Sequence, residues 1–243
     1  MLVEKNQLNG QDAAFYSKPG KKLMTPERYQ RFKTVLQSKQ TDLTVVMENI
    51  HKPRNFAAII RTAEAVGIHT VHAITETTGP VSQHHHTAAG ANKWVQTQSY
   101  TTSEQALSQI KQQGMQLVIA DVGPDAIDYQ QLDYRQPTAL LMGSELYGVS
   151  DTARTMADAV VTIPMLGLVE SLNVSVACAL ILFEAAGQRR QAGLYERRLL
   201  PEDEYQRTLF EWCYPTIADH CQRENKPYPK LDEEGYLITN QCV

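Results

Sequence analysis

The sequence predicts an α/β fold with a mostly parallel sheet, on three observations. Five short apolar runs rich in β-branched residues recur along the chain, segments of helical periodicity separate them, and one long apolar helical segment follows the last run. Strands that are apolar on both faces and alternate with helices belong to sheets covered on both sides, which are mostly parallel.

The elements follow in order. Thr25 can cap a helix that opens on Pro26 and runs to about Ser38, because proline tolerates the first helical position and threonine satisfies a free N–H. Strands are predicted at Leu43–Met47, Thr70–Ile74, Leu117–Ala120, Ala139–Met142 and Val160–Ile163. Helices are predicted at about Asn55–Val66, Ser103–Gln112 and Ser150–Ala157, with a long one over Asn173–Gln191. Within the first of these, Phe56, Ile59, Ile60, Ala63 and Val66 fall on one stripe at the helical period. Beyond Gly193, Pro201 opens a further helical stretch, and the KPYPKLDEEGYL tail reads as irregular. The expected organisation is a basic N-terminal extension over residues 1–44, helical from about 25, a central domain over 45–188 and a C-terminal extension over 189–243.

At 243 residues with 42% hydrophobic and 21% charged side chains, the chain suits one medium soluble domain with short extensions. It carries no apolar run long enough to span a bilayer and no secretory leader, so no membrane association is expected. Cys178, Cys213, Cys221 and Cys242 match no zinc or disulfide spacing and read as reduced thiols, which points to the cytoplasm. His84, His85 and His86 are adjacent and lack a completing ligand nearby, so no metal is expected. The formal charge of −4 is unevenly spread: +4 over residues 1–44, −6 over 45–187 and −2 over 188–243. Lys21, Lys22, Arg28, Arg31, Lys33 and Lys39 could therefore meet phosphates, although charge alone equally suits a solubilising helix.

A sheet of this kind commonly binds a nucleotide-like ligand. No GxGxxG follows any strand and no GxxxxGK stands anywhere, which disfavours a nicotinamide-dependent oxidoreductase and a P-loop enzyme. Three other segments stand out. In HKPRNFAAIIRT (51–62), Pro53 disfavours helix at Lys52 and Asn55 can cap the helix that follows. Arg61 lies opposite the apolar stripe, on a face shared with Ala57 and Ala65, where small residues suggest a close neighbour (another element, a second subunit or a ligand), with an ordinary surface arginine the equal alternative from this segment alone. In LLMGSELYGV (140–149), a buried strand ends in two glycines flanking Glu145, at the carboxyl end where α/β sheets bind ligands. In IPMLGLVESLNVS (163–175), a strand leads through a loop into the long helix. Ser171 or Asn173 can cap that helix or offer the same donors to an anion or ribose hydroxyl.

Taken together, NFAAIIRT, GSELYG and IPMLGLVESLNVSVA resemble, in order and spacing, the three motifs of the SpoU branch of the SPOUT class. The resemblance runs from about Thr25 to Gly235 and is similar to the TrmH family of tRNA guanosine-18 2′-O-methyltransferases, including its flanks TPERYQRF and GLYERRLLPEDEYQRTLFEWCYP. Residues 1–22 have no counterpart in it, and His84-His85-His86 stands where relatives carry other polar or basic residues. It implies an α/β trefoil-knot fold, a bent S-adenosylmethionine held by backbone and apolar contacts from Ala120, Gly143, Ile163 and Leu172, and a homodimer with the site near the subunit interface. It also implies Arg61 as the central catalytic residue, Asn55 and Glu145 positioning Arg61 or the ribose, Ser171 and Asn173 at the cofactor–substrate junction, and no metal. Guanidinium is a donor and a poor base, so Arg61 either deprotonates the hydroxyl in a perturbed site or fixes the neighbouring phosphate. Arg28 and Arg31 are the expected RNA contacts. The same chemistry on another RNA, such as a ribosomal loop, is the neighbouring alternative; a non-catalytic RNA-binding knot protein would be expected to lack Arg61, Glu145 or Asn173.

Overall fold

Leu43–Glu48 begins a sheet in which every pairing is parallel. The computed structural model describes residues 24–75 and 93–238. Its elements, in chain order, are α1 (Pro26–Gln37), β1 (Leu43–Glu48), α2 (Pro53–Ala65), β2 (Thr70–Ile74), β3 (Gln96–Tyr100), α3 (Ser103–Gln112), β4 (Gln116–Ala120), β5 (Ile127–Asp128), β6 (Thr138–Met142), α4 (Asp151–Met156), β7 (Ala159–Thr162), α5 (Val174–Gln191), α6 (Glu202–Cys213) and α7 (Pro215–Arg223). The seven strands run in the order β3-β2-β1-β6-β4-β7-β5. The expected α/β class and its five strands are all present. β3 and β5 were not anticipated: β3 reads QTQSY and sits at the edge, where no alternation of burial marks it.

The period of two along each strand builds two separate cores. Val45, Met47, Leu140, Met142 and Val118 face α2 and α5, whereas Val46, Ala139, Leu141, Leu117 and Ile119 face α3 and Ala153 of α4. The predicted stripe of α2 is buried throughout, from Phe56 at 3% exposure to Ile59, Ile60 and Ala63 at 0%. α5 is fixed at its far end by Arg189, which is wholly buried. Its guanidinium donates to Gln40 Oε1 at 2.9 Å and Tyr134 O at 3.1 Å and pairs with Asp42. A buried guanidinium requires this many acceptors to offset its lost hydration.

The expected caps form at α1 and α5 but not at α2. The Arg28 N–H reaches Thr25 Oγ1 at 3.3 Å, Asn173 Oδ1 accepts the Ser175 N–H at 2.9 Å, and Ser150 Oγ accepts the Ala153 N–H at 3.1 Å. Asn55 does not cap α2. The helix already begins at Pro53, Lys52 holds the cap position without a side-chain bond, and Asn55 lies buried in the first turn. Lys39 is likewise no phosphate ligand, being 0% exposed with its ammonium donating to Ile68 O at 2.9 Å and Trp94 O at 3.0 Å. The His84-His85-His86 run and residues 1–22 lie outside the described residues.

By their contacts, the described residues fall into two units, one of residues 37–200 and one that joins the N-terminal segment to the chain beyond Leu200. Within the latter, Phe32 of α1 meets Trp212 of α6 edge to face at 5.7 Å, and Gly235 (φ 88°) presses so closely on the Tyr29 ring that a Cβ there would lie 2.4 Å from it. The Arg28 guanidinium lies over Phe32 at 5.2 Å and the Lys33 ammonium over Tyr29 at 5.5 Å, so these cations are held on an aromatic surface.

Two measurements check the fold. Gly143, directly after β6, has no room for a side chain: a Cβ would stand 2.4 Å from the Gly148 carbonyl carbon. Gly143→Ala is expected to cost roughly 2–3 kcal/mol in denaturant unfolding, because backbone rather than a flexible side chain must move. His72 of β2 is buried and meets the Tyr100 hydroxyl at 3.2 Å, and burial pushes its pKa from 6.5 down to about 4. A base held neutral in the fold takes up its proton on unfolding, so its stabilising contribution is complete above the unfolded value and is lost as pH falls from about 6.5 to about 4. Urea titrations at pH 7 and pH 4.5 should show a loss on the order of 2–3 kcal/mol that His72→Gln reduces.

Candidate active site

Parallel strands place all their carboxyl ends on one edge, and β4, β6 and β7 are neighbours there. Ala120 and Asp121, Met142 and Gly143, and Thr162 and Ile163 therefore converge on a single open cleft of about 490 Å³. The loop from Met165 to Asn173 and the first turns of α5 complete its wall. This volume lies in the range of small-molecule sites, about 300–1,000 Å³.

The turn after β6 is a closed structure. Ser144 and Gly148 exchange both backbone hydrogen bonds at 2.9 Å, and the Ser144 hydroxyl accepts the Tyr147 N–H at 3.0 Å. Gly148 takes φ 67°, where a side chain would be strained. Glu145 thus leaves the turn in a fixed direction, with its side chain 18% exposed at the cleft.

Asn55 joins the three sequence segments. Its Nδ2 donates to Glu145 Oε1, while its Oδ1 accepts from Asn173 Nδ2 at 3.2 Å. Asn173 Oδ1 in turn accepts the Ser175 hydroxyl at 2.6 Å. One carboxamide thereby ties α2, the turn after β6 and the N-terminus of α5, which lie 90 and 118 residues from it in sequence. The Lys52 ammonium stands 3.9 Å from Glu145 Oε1 and also lines the cleft.

Of the residues singled out from sequence, Ala120, Gly143, Ile163 and Leu172 line the cleft, as do Glu145, Ser171 and Asn173. Asn55 stands behind them, buried. Arg61 is not brought into the cleft. It lies on the exposed face of α2, about 9 Å along the axis from Asn55 at 1.5 Å per residue, and pairs with none of the described residues. Sequence reasoning missed Lys52, Asp121 and Glu48. Lys52 gave no signal beyond its place before Pro53. Asp121 is recognised through its ion pair with Arg154 of α4 at 2.5 Å, a contact across 33 residues that no local pattern reports.

Comparison with known proteins agrees with this geometry. Residues 42–183 match the SpoU rRNA Methylase family, and residues 187–240 match the C-terminal region of SpoU rRNA methylases. The chain is 46% identical over 219 residues to the tRNA (guanosine(18)-2'-O)-methyltransferase of Escherichia coli strain K12, covering 88% of this chain and 94% of that one. It is similar to the crystal structure of the TrmH/SpoU tRNA modifying enzyme of A. aeolicus, with a TM-score of 0.71 and 35% identity over 79% of this chain and 97% of that one. It is also similar to the SpoU methyltransferase AviRb from Streptomyces viridochromogenes in complex with the cofactor AdoMet, with a TM-score of 0.56 and 28% identity over 62% of this chain and 59% of that one. The cleft, the linked motifs and these similarities place the chain in the SpoU rRNA methylase family.

Proposed function

We propose that the protein transfers a methyl group from S-adenosylmethionine to the ribose 2′-hydroxyl of guanosine 18 in tRNA. The observation that carries this reading is the Asn55–Glu145–Asn173 link at the mouth of a cofactor-sized cleft, in a chain 46% identical to an enzyme of that name. The cleft suits the cofactor chemically. Met142, Ile163, Leu172 and Ile181 offer apolar surface for an adenine, and Asp121, Glu145 and Glu170 outnumber Lys52 along the lining, which favours a cationic sulfonium.

When bound, S-adenosylmethionine supplies an electrophilic methyl that needs only an aligned oxygen and a route for its proton. Ala120, Gly143, Ile163 and Leu172 hold the cofactor. Glu145, fixed by Asn55, and Asn173, fixed by the same amide, present an acceptor and a donor side by side at the cleft, which suits orientation of a ribose hydroxyl. Ser171 lines the same cleft. Arg61 is exposed and carries five donors and no acceptor, a pattern that fits a phosphate beside the ribose better than removal of a proton.

A homodimer completes this reading. Val176 (47%), Leu180 (41%) and Phe183 (55%) share one exposed face of α5, and Leu166 and Leu168 stand fully exposed beside the cleft. A second copy over that face would bury a continuous apolar surface and close the site near Arg61. Arg28 and Arg31 of α1 supply phosphate contacts. The three free, buried cysteines among the described residues are compatible with a cytoplasmic location, and no described helix is long and apolar enough to cross a membrane.

The reading is tested with tRNA transcripts carrying guanosine 18 or a substitution there; equal methyl incorporation into both would overturn the assigned position. Arg61→Ala should lower kcat by at least ~100-fold while calorimetry shows S-adenosylmethionine affinity within about twofold of wild type. Replacing Arg28 and Arg31 together by Ala should weaken tRNA binding and flatten its salt dependence by roughly 0.7–0.9 per lost contact, leaving the modified position unchanged. An unaltered salt slope would make α1 a solubilising helix only.

A further inference from the structure

Glu48 ends β1 and is 1% exposed, a carboxylate removed from water at the ligand-binding edge of the sheet. The mechanism above gives it no task. A buried carboxylate needs donors around it, and three are present: the Ser150 N–H at 2.8 Å, the Ser150 hydroxyl at 2.7 Å and the Ser103 hydroxyl. Two of the three belong to Ser150, whose hydroxyl oxygen also accepts the Ala153 N–H at 3.1 Å and so caps α4. Glu48 therefore fixes both the position and the hydroxyl direction of the residue that opens α4.

Along the chain, Ser150 lies between residues that reach two walls of the cleft. Two residues before it, Gly148 closes the turn that bears Glu145 by pairing with Ser144. Four residues after it, Arg154 reaches across to Asp121 at 2.5 Å, at the end of β4. The Arg154 guanidinium also lies beside Gly148, within 3.8 Å of where a Cβ would stand. α4 is thus a short strut between the turn after β6 and Asp121, and Glu48 is the group that seats it. Asn55 holds the same turn from its other end, through Glu145.

We infer that Glu48 is a positioning residue for the cofactor: through Ser150 and α4 it sets the spacing between the Gly143–Gly148 turn and Asp121, the two walls that S-adenosylmethionine must fit between. This rests on the function proposed above. Glu48 does not line the cleft, and Asn55 holds Glu145 by a separate bond that does not pass through α4, so the effect of Glu48 falls on cofactor affinity and not on the chemical step or the tRNA. A carboxylate that served only the core would support the fold without that selectivity.

Glu48→Gln keeps the shape but turns one acceptor into an NH2 facing serine donors. In this variant the Kd for S-adenosylhomocysteine by calorimetry and the KM for S-adenosylmethionine should rise about tenfold, the scale of one misplaced hydrogen bond. The kcat at saturating cofactor and the KM for tRNA should stay within about twofold of wild type. Arg154→Met, at the far end of the strut and out of contact with Glu48, should weaken the cofactor in the same way. The double variant should fall short of the product of the two effects, because both act through one element. Unchanged cofactor affinity in folded Glu48→Gln, or a fall in kcat with unchanged KM, overturns the inference. Should Glu48→Gln not fold, Arg154→Met decides alone: unchanged affinity there overturns it too. Failure of the wild-type protein to bind either S-adenosylmethionine or S-adenosylhomocysteine would overturn the proposed function instead.

Discussion

The Asn55 carboxamide is the link on which the site depends. A primary amide offers a donor on one side and an acceptor on the other, and here the donor side meets Glu145 and the acceptor side meets Asn173. Neither aspartate nor alanine at position 55 could join both, since one lacks the donor and the other lacks everything. The cost of burying an amide is offset only while both partners are in place, so the three segments are held in register together or not at all. This explains why Asn55 sits inside the first turn of α2 rather than at its cap. A capping asparagine would turn its oxygen toward its own helix and leave Asn173 without an acceptor.

The sheet brings those segments to one another. Because β1 pairs with β6 and β6 with β4, the chain leaves three adjacent strands at the same edge after Glu48, Met142 and Ala120. Both faces are covered by helices, so the edge is where polar groups can gather without interrupting a core. Glu48, Asn55, Glu145 and Ser150 all gather there. The segment from Glu48 to Asn55 therefore serves as a bracket that grips the turn after β6 at both ends, through Ser150 and through Glu145.

Much of this was legible in the sequence, for identifiable reasons. β1, β2, β4 and β6 declare themselves because both their faces meet hydrophobic layers, β7 by its apolar run although only Val161 of it is buried, and the α2 stripe because its five apolar positions join the core. Asn173 was readable as a cap because its side chain satisfies a neighbour two residues on. β3 was not, since an edge strand with one partner needs no apolar alternation and QTQSY shows none. Lys39 misled for a related reason: a lysine in a basic stretch looks solvated, and only the carbonyls of Ile68 and Trp94 show that it is an internal donor. Burial pushes its pKa down to about 8 against the opposing pull of the Glu64 carboxylate, which no local pattern would suggest. Asp121 and Glu48 were silent because their partners are 33 and 102 residues away and neither sits in a recognisable motif.

The distribution of charge also acquires a physical meaning once the cleft is known. Net charge of −6 over residues 45–187 would repel a polyanion, yet the same carboxylates suit a cofactor that carries a sulfonium. An RNA-modifying enzyme built this way has to separate the two tasks, because a cleft lined by cations would hold RNA and disfavour the methyl donor. The separation is visible in the residues. Asp121 and Glu145 line the cleft and are held there by Arg154 and Asn55, whereas Arg28 and Lys33 rest on aromatic rings of α1. Holding a cation over an aromatic face limits its motion without neutralising it. Arg61 shares α2 with Asn55 but faces outward, about 9 Å along the helix axis from the amide that holds the site together.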